Sequence, residues 1–245
     1  MEQTPSAAPS LGSRIINVFT APSESFVGID ALPSKTGLWL VPFLLGILVF
    51  ALVMVVITTD EVLKGEMVDM QVRAIEQRVE SGSMPREQAD QAIQAIESMG
   101  SMFLVFGAIG GIFFMAVSYF GGSLVLWLTG KLAFKAPAGY STYLGAYGLA
   151  SWIGLLGAIV TTLLMVGLGS MSASAGAALV IPDFDPLNST HRMLGRIELF
   201  AIWQAAVTGF GLSAITGKSL GTGIVTTIVL WIIWVVASNL LGLSM

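Results

Sequence analysis

Five long apolar segments dominate the sequence, and they restrict what the chain can fold into more than any other feature. Each is long enough to cross the hydrocarbon core of a bilayer, which takes about 20 residues of α-helix. The segments do not alternate between apolar and polar residues as the strands of a membrane β-barrel do. In hydrocarbon an α-helix pairs its own backbone donors and acceptors, so each segment is predicted to be a helix. The predicted spans are residues 38–59, 101–128, 143–169, 197–216 and 223–243.

The composition places most of the chain in lipid rather than in water. Of its 245 residues, 55% are hydrophobic and 11% are charged, whereas a typical soluble domain has about 25% charged residues. We therefore predict an all-α integral membrane protein that forms a bundle of five transmembrane helices. Residues 1–37 are predicted to be a cytoplasmic or interfacial segment, and residues 38–245 a single membrane domain.

The distribution of charge and the absence of cysteine argue against two kinds of function. Half of the charged residues lie between residues 60 and 97, and the rest of the chain is nearly uncharged. Because nucleic-acid binding needs a basic face, no nucleic-acid partner is predicted. The chain has no cysteine, which removes disulfides, thiolate nucleophiles and cysteine metal ligands.

The charged stretch, residues 60–100, is predicted to be a helical hairpin between the first two spans. Apolar residues recur at helical spacing on both sides of a Ser-Gly-Ser turn at residues 81–83, and Pro85 suits the first turn of the second helix. Such a stripe must pack against itself, the bundle or a second copy. The stripe consists of Val68, Val72, Ile75 and Val79, then Ala89, Ile93 and Ile96.

The segment before the first span carries an apolar face interrupted at Pro22. Its residues are Ile15, Val18, Phe19, Phe26 and Ile29. Two interpretations remain open from the sequence. The segment is either a short helix on the membrane interface or, after a disordered tail up to Ser10, an ordinary helix packed under the bundle.

Small residues repeat every four positions in several spans, and they predict where helices approach one another. Between helices in lipid the hydrophobic effect contributes little, so close backbone approach through small side chains drives association. We expect these stripes to face other helices of the same chain rather than a second copy. The predicted packing positions are Gly107 and Gly111 in the second span, Ala146, Ala150 and Gly154 in the third, and Ala201, Ala205, Gly209 and Ser213 in the fourth.

The residues that carry possible chemistry are few. Asp183, Asp185 and His191 are weak candidates for a metal site, because nitrogen and oxygen ligands suit a divalent ion. Prolines at 182 and 186 favour a plain turn instead, and residues 188–190 are interpreted as a helix cap rather than a glycosylation site. No catalytic residue, no cofactor and no metal are predicted, and the chain is expected not to be an enzyme.

Neutral polar residues inside the spans leave a second class of function open. Gln204 and Thr208 lie in the fourth span together with Ser213, and such groups line the path in some channels and transporters. The spans hold essentially no ionisable residue, which argues against a proton-coupled pump.

The basic residues near the helix ends predict the orientation. With the N-terminus inside, the inner segments carry Arg14, Lys35, Lys131, Lys135 and Lys218. Since lysine and arginine are enriched in cytoplasmic loops, we expect a cytoplasmic N-terminus and a C-terminus outside. Arginines 192 and 196 oppose this assignment, because they lie on the other side near the fourth span.

Several loose motifs along nearly the whole chain resemble the Yip1 family of five-span membrane proteins. They are Phe19-Thr20-Ala21-Pro22-Ser23-Glu24-Ser25-Phe26 ahead of the first span, Tyr140-Ser141-Thr142-Tyr143 before a third span containing Tyr147, Phe200-Ala201-Ile202-Trp203 opening the fourth, Gly209-Phe210-Gly211-Leu212 within it, and Lys218-Ser219 before the last.

The resemblance implies a cytosolic N-terminus, a five-helix bundle and no enzymatic activity. Eukaryotic members look like membrane organisers that engage Rab-type GTPases. This chain departs from them in its long charged insertion and short N-terminal region, which look like the bacterial branch and make a small GTPase a doubtful partner. The leading hypothesis is a non-enzymatic scaffold of a bacterial inner membrane that contacts lipids, other membrane proteins or itself. The alternative is a channel or transporter for a small solute or ion.

Overall fold

A computed structural model describes residues 9–240 of the chain, except for the side chains of residues 97–106. Most of the described chain is helical, and an isolated bridge pairs Gly176 with Glu198. The helices are α1 Leu11–Thr20, α2 Pro22–Ser25, α3 Thr36–Thr59, α4 Glu61–Glu80, α5 Arg86–Leu128, α6 Tyr140–Leu168, α7 Ser189–Gly195, α8 Leu199–Thr216 and α9 Leu220–Leu240. A π-helical turn, Thr129–Ala133, follows α5, and a short 3-10 turn, Ala177–Leu179, lies before α7.

Five of these helices are long and apolar enough to cross a membrane, which confirms the predicted fold class. They are α3, the second part of α5, α6, α8 and α9. Four of the spans begin within three residues of the predicted starts. The last three residues of the predicted fifth span, 241–243, lie outside the described residues.

The second span differs from the prediction because it is not a separate helix. The second arm of the hairpin runs without a break into the span as α5, which has 43 residues. No proline lies between Arg86 and Leu128, so the backbone ladder has no reason to end near residue 100. At about 1.5 Å per residue α5 is roughly 65 Å long, about twice the thickness of the hydrocarbon core.

The predicted hairpin is formed by α4 and the first part of α5, and it packs on itself. Asp60 caps α4 by accepting from the N–H groups of Val62 and Leu63. The turn depends on Gly82, whose φ of +71° favours glycine. Most of the predicted stripe is half-buried between the two helices, and Ala89 is fully buried.

The described segments outside the spans fall on two faces of the bundle. The N-terminal face carries residues 9–35, the α5–α6 connection and the α8–α9 turn. The hairpin face carries the hairpin and the loop from residue 169 to residue 198. The five spans run between these two faces.

Helices α1 and α2 pack against the bundle at the N-terminal face, against α6 and α8 respectively. Val18, Phe26 and Ile29 are at most 2% exposed and belong to the main apolar core. Of the two interpretations left open by the sequence, the structure agrees with a helix packed on the bundle. The tail of residues 1–8 lies outside the described residues.

A buried arginine joins α1 to the chain that follows α2. The Arg14 side chain is 1% exposed, and it donates to the carbonyl oxygens of Pro9 (3.1 Å), Ser25 (2.6 Å) and Val27 (2.7 Å). The Ser25 hydroxyl returns a hydrogen bond to the Arg14 carbonyl at 3.0 Å. Burial lowers the pKa of Arg14. The guanidinium therefore satisfies carbonyl groups that have no helical partner.

Helix α6 is the centre of the bundle and contacts α3, α5, α8 and α1. Its first half is closely packed, with Tyr143, Ala146, Leu149, Ala150 and Ile153 all buried in the core. This half lies toward the N-terminal face. The second half of α6 is less buried, and the space beside it is described below.

Candidate functional site

A groove inside the bundle is the main candidate for a functional site. It has a volume of about 380 Å³ and is partly enclosed by one side of α3 and one side of α6, with two residues from α5. Along α6 its lining runs from Ser151 to Met165 and along α3 from Pro42 to Val53. At about 1.5 Å per residue these stretches are roughly 21 Å and 16 Å long, close to the thickness of one leaflet with its interface.

The lining is apolar except at a few points. Three polar side chains, from Tyr119, Ser151 and Gln204, lie toward the end of the groove that is farther from the hairpin face, which we call the deep end. Thr161 and Thr162 lie toward the hairpin face. None of the lining residues is charged. An apolar cavity with a few polar groups at one end is typical of small-molecule sites.

Gln204 is the polar side chain that stands out in this groove. Its amide oxygen lies against Gly154, in the space that a side chain at position 154 would occupy. Within residues 9–240 the amide makes no hydrogen bond to a described side chain or backbone group. An unpaired amide in an apolar site costs about 1–3 kcal/mol. Gln204 is therefore a half-buried amide with no hydrogen bond to the described residues, and it lies beside Gly154 at the midpoint of α6.

The other two polar groups at the deep end each use their hydrogen atom elsewhere. The Ser151 hydroxyl donates to the Gly148 carbonyl at 2.7 Å, and the Tyr119 hydroxyl donates to the Trp39 carbonyl at 3.0 Å. Each oxygen retains lone pairs that can accept a hydrogen bond. The deep end of the groove thus combines a free amide with two acceptors.

The structure does not bring Thr208 and Ser213 into this groove. The Thr208 hydroxyl donates to the Gln204 carbonyl at 2.7 Å, and the Ser213 hydroxyl donates to the Ser219 carbonyl at 3.1 Å. Both side chains are buried. Of the pore-lining residues considered from the sequence, only Gln204 faces the cavity.

The small-residue positions lie mostly at contacts between helices. Gly209 lies against the backbone of α9, and Gly154 lies against α8 through Gln204. Gly111 lies against the Phe50 ring of α3, whereas Gly107 is exposed, with no atom within 4 Å of the place of its missing Cβ. Ala146, Ala150, Ala205 and Ser213 are buried, and Ala201 is half-buried.

Other contact glycines were not singled out from the sequence. Gly148 lies against the backbone of Trp39, and Gly211 lies between Ala146 and the Phe26 ring. Their signal was present, since Gly148 is one turn from Gly145 and Gly211 is two residues from Gly209. Ser151 and Tyr119 were missed as well, and nothing local in the sequence marks them as lining a cavity.

Two of the three weak metal candidates, Asp185 and His191, serve local structure in the loop at the hairpin face. The Asp185 N–H donates to Nδ1 of His191 at 3.1 Å, and the Asp185 carboxylate accepts from the Leu187 N–H at 3.0 Å. The His191 ring stacks on Phe184. Within residues 9–240 no group of three or more His, Asp or Glu side chains is placed to hold a metal ion.

The same loop confirms the predicted helix cap. The Asn188 side chain accepts from the N–H groups of Thr190 and His191, so it caps α7. Arg192 of α7 donates to the Asn239 side chain of α9 at 3.1 Å. Burial and the nearby charge of Arg192 lower the pKa of Arg196. The loop is thereby tied to the end of the last span.

A second, more polar cleft lies at the base of the hairpin. It has a volume of about 590 Å³ and is lined by residues of α4, including Glu61, Glu66, Asp69 and Arg73, and by Gly169. The Glu66 carboxylate accepts from the Met171 N–H at 2.6 Å and from the Ser170 hydroxyl at 3.1 Å. These two bonds join the hairpin to the end of α6.

Comparison with known proteins decides the family. A model of the Yip1 domain matches residues 16–241, which is nearly the whole chain. The chain belongs to the Yip1 family. The resemblance inferred from the sequence motifs is thus confirmed. No curated protein and no solved structure matches the chain.

The Yip1 match includes every span, the hairpin and the loop before α8. With five helices able to cross a membrane, this Yip1 protein is a polytopic membrane protein. The intramembrane groove and the buried Arg14 side chain are observed in the structure of this chain and not in the family comparison.

Proposed function

We propose that this Yip1 protein is a non-enzymatic membrane organiser that works as a scaffold for proteins or lipids. The observation that carries the proposal is the hairpin. It combines α4 with the first part of a helix roughly 65 Å long. About half of that helix exceeds the hydrocarbon core, so the hairpin projects roughly 30 Å beyond it.

The hairpin has the properties of a recognition surface rather than of a catalytic one. Its apolar stripe is used internally, which leaves a charged outer face for partners. Its base is fixed through Glu66, so a partner bound at the tip is held in a defined position relative to the bundle. A charged interface of this kind favours specific and reversible contacts.

Photo-crosslinking tests this function directly. A photoreactive residue placed at the exposed positions Gln77 or Gln91 is expected to capture another protein or a second copy of the chain in intact membranes. The matched control is the same photoreactive residue at Leu163, a lipid-exposed position on α6. A survey of the hairpin that captures neither a partner nor a second copy would contradict the scaffold function.

The rival function is a channel or transporter, and the unpaired amide of Gln204 in the groove is the observation that favours it. Against it, the half of the bundle toward the N-terminal face is filled by the core around Leu149 and Ile153. Purified protein in liposomes separates the two functions. A solute or ion flux that disappears in Gln204→Leu would support transport, whereas absence of flux above empty liposomes is expected for the scaffold.

We also propose that the protein lies in a bacterial inner membrane with its N-terminal face in the cytoplasm. That face carries Lys35, Lys131, Lys135 and Lys218, in the pattern that the positive-inside rule associates with the cytoplasm. Because the chain has no cysteine, single substitutions report the side. An impermeant maleimide is expected to label Ser83→Cys but not Ser219→Cys in intact cells, and the reverse result would overturn the orientation.

The proposal includes the absence of enzymatic activity. Asp185 and His191 bond to each other within their own loop, and none of the residues that line the groove is charged. The substitutions His191→Ala and Asp183→Asn are therefore expected to leave every measured phenotype unchanged. Loss of function in both variants, with normal protein levels, would favour a reaction at that loop.

A further inference from the structure

We propose that the intramembrane groove binds one uncharged, single-chain amphiphile, with its polar head at Gln204 and its hydrocarbon chain running along α6 toward the hairpin face. The inference goes beyond the scaffold function and does not depend on it, because it concerns the inside of the bundle and not the hairpin. Four features of the groove carry it, namely its cross-section, its length, its lining and its polar end.

The cross-section of the groove matches that of a single hydrocarbon chain. A volume of about 380 Å³ spread over roughly 16–21 Å gives a mean cross-section of about 20 Å². A hydrocarbon chain, whose carbons lie about 4 Å from neighbouring atoms, needs roughly 16 Å². A transmembrane helix about 10 Å across needs roughly 80 Å². The groove therefore accepts an alkyl chain and is too narrow for a partner helix.

The length and the surroundings of the groove place the hydrocarbon chain of the ligand in one leaflet of the bilayer. The groove runs between membrane-spanning segments, so its open side meets the hydrocarbon of the bilayer. Along α6 it reaches from Ser151, just before the midpoint of the helix, to Thr162 and Met165 near the hairpin face. The lining along this path is apolar apart from Thr161 and Thr162, whose hydroxyls are already used, since they donate to the Glu198 carboxylate at 2.8 Å and to the Ala158 carbonyl at 2.7 Å.

The deep end selects a polar head. The Gln204 amide has no hydrogen bond to the described residues, and Ser151 and Tyr119 beside it retain acceptor lone pairs. A hydroxyl group both donates and accepts, so it complements an amide and two acceptors together. A plain alkyl chain would leave the amide unsatisfied, which is unfavourable in an apolar site.

The head must be uncharged. None of the groove residues is an acid, a lysine, an arginine or a histidine. A phosphate or carboxylate at this depth would lie in hydrocarbon without a counter-ion, at a high cost in desolvation. Long-chain alcohols therefore fit, and phospholipid head groups and fatty acids do not.

Photo-labelling of the full chain in lipid nanodiscs tests the site. The probe is hexadecanol with a diazirine on its chain, and the two comparison probes are the matching alkane and hexadecanoic acid. We expect the alcohol to label the groove faces of α3 and α6 in a saturable manner, with unlabelled hexadecanol competing. The alkane and the acid are expected to label these residues weakly and without saturation.

Three variants distinguish a specific site from general partition into lipid. Gln204→Met keeps the length of the side chain and removes the amide, so the apparent affinity for the alcohol should fall about threefold to tenfold. Gly46→Phe places a ring in the groove and should abolish labelling. Gly110→Phe is the matched control, because no atom lies within 4 Å of its missing Cβ, and it should label like the parent chain.

The outcomes that overturn the inference are equally specific. Equal saturable labelling by the alkane would show that the polar head does not contribute to binding. Stronger labelling by the acid would show that the head need not be uncharged. Labelling that survives Gly46→Phe in a protein with an unchanged melting temperature shows that the chain binds elsewhere. Capture of a protein partner by the hairpin changes none of these results.

Discussion

Replacing Arg14 by methionine is expected to release α1 and α2 from the bundle without unfolding the spans. Methionine keeps the length of the side chain but loses all three hydrogen bonds, to the carbonyls of Pro9, Ser25 and Val27. Each bond from a charged donor contributes about 1.5–3 kcal/mol. Relief from burying the guanidinium, which costs several kcal/mol, offsets part of this. Three such bonds amount to about 4.5–9 kcal/mol, and subtracting that relief leaves an expected net loss of about 3–5 kcal/mol.

A single thiol measures this loss locally, because the chain has no cysteine of its own. Ile29→Cys places the thiol at a position that is 2% exposed, so a water-soluble maleimide reaches it only after the segment opens. A factor of ten in an equilibrium corresponds to about 1.4 kcal/mol. Labelling of Ile29→Cys should therefore speed up at least about a hundredfold when Arg14→Met is added.

Two further variants decide whether the guanidinium geometry matters. Arg14→Lys keeps the positive charge but cannot reach three carbonyl groups in a fixed fork, so its labelling rate should lie between the parent and Arg14→Met. Arg196→Met is the matched control, since it removes an arginine at the opposite face of the bundle and should leave the rate unchanged. Labelling of the Arg14→Met variant within about threefold of the parent rate would refute the assigned role.

Two other contacts give further predictions. In Gly209→Val the new Cβ would lie 2.5 Å from the backbone of α9, so the free energy of unfolding should fall by about 1–3 kcal/mol in thermal unfolding. Gly221→Val is the control, because its new side chain would enter open space, and its free energy of unfolding should fall far less. Equal losses would show that the helix contact is not responsible. Glu66→Ala removes the acceptor of the Met171 N–H, so hydrogen exchange at that amide should rise about tenfold. Glu76→Ala should not change it, and an unaltered rate in Glu66→Ala would contradict the tie at the hairpin base.

The spans were predictable because hydrophobic length is a local property of the sequence. Any segment of about 20 apolar residues must satisfy its backbone internally, whatever its neighbours are. The end of a helix next to the membrane is not fixed in that way. Nothing in the sequence between Arg86 and Leu128 breaks a helix, so the predicted boundary near residue 100 reflected only a change in polarity and not a change in backbone.

The role of Arg14 could not be read from the sequence. By position it is a basic residue ahead of the first span, and it was counted toward the orientation of the chain. Its partners are the carbonyls of Ser25 and Val27, which come into reach only after the chain turns back at Pro22. A contact with backbone atoms leaves no trace in the identity of the partner residues.

The groove was only partly predictable for a related reason. Gln204 was singled out because a polar residue in a span is unusual whatever surrounds it. Thr208 carried the same signal, but its hydroxyl is satisfied within its own helix. Whether a polar residue faces a cavity depends on the packing of neighbouring helices, and a cavity is the space that packing leaves empty. Ser151 and Tyr119 line it through the placement of α5 and α6 and not through any local pattern.

The contrast between the two halves of the bundle explains why the groove lies where it does. Toward the N-terminal face, α6 meets α3 through Gly148, which touches the backbone of Trp39 directly. Helices in contact through glycine leave no space between them. Toward the hairpin face, the ring of Phe50 fills the place of a side chain at Gly111 and takes the contact between α3 and α5. The groove between α3 and α6 begins just beyond the Gly148 contact, at Pro42 on α3 and Ser151 on α6, and continues from there toward the hairpin face.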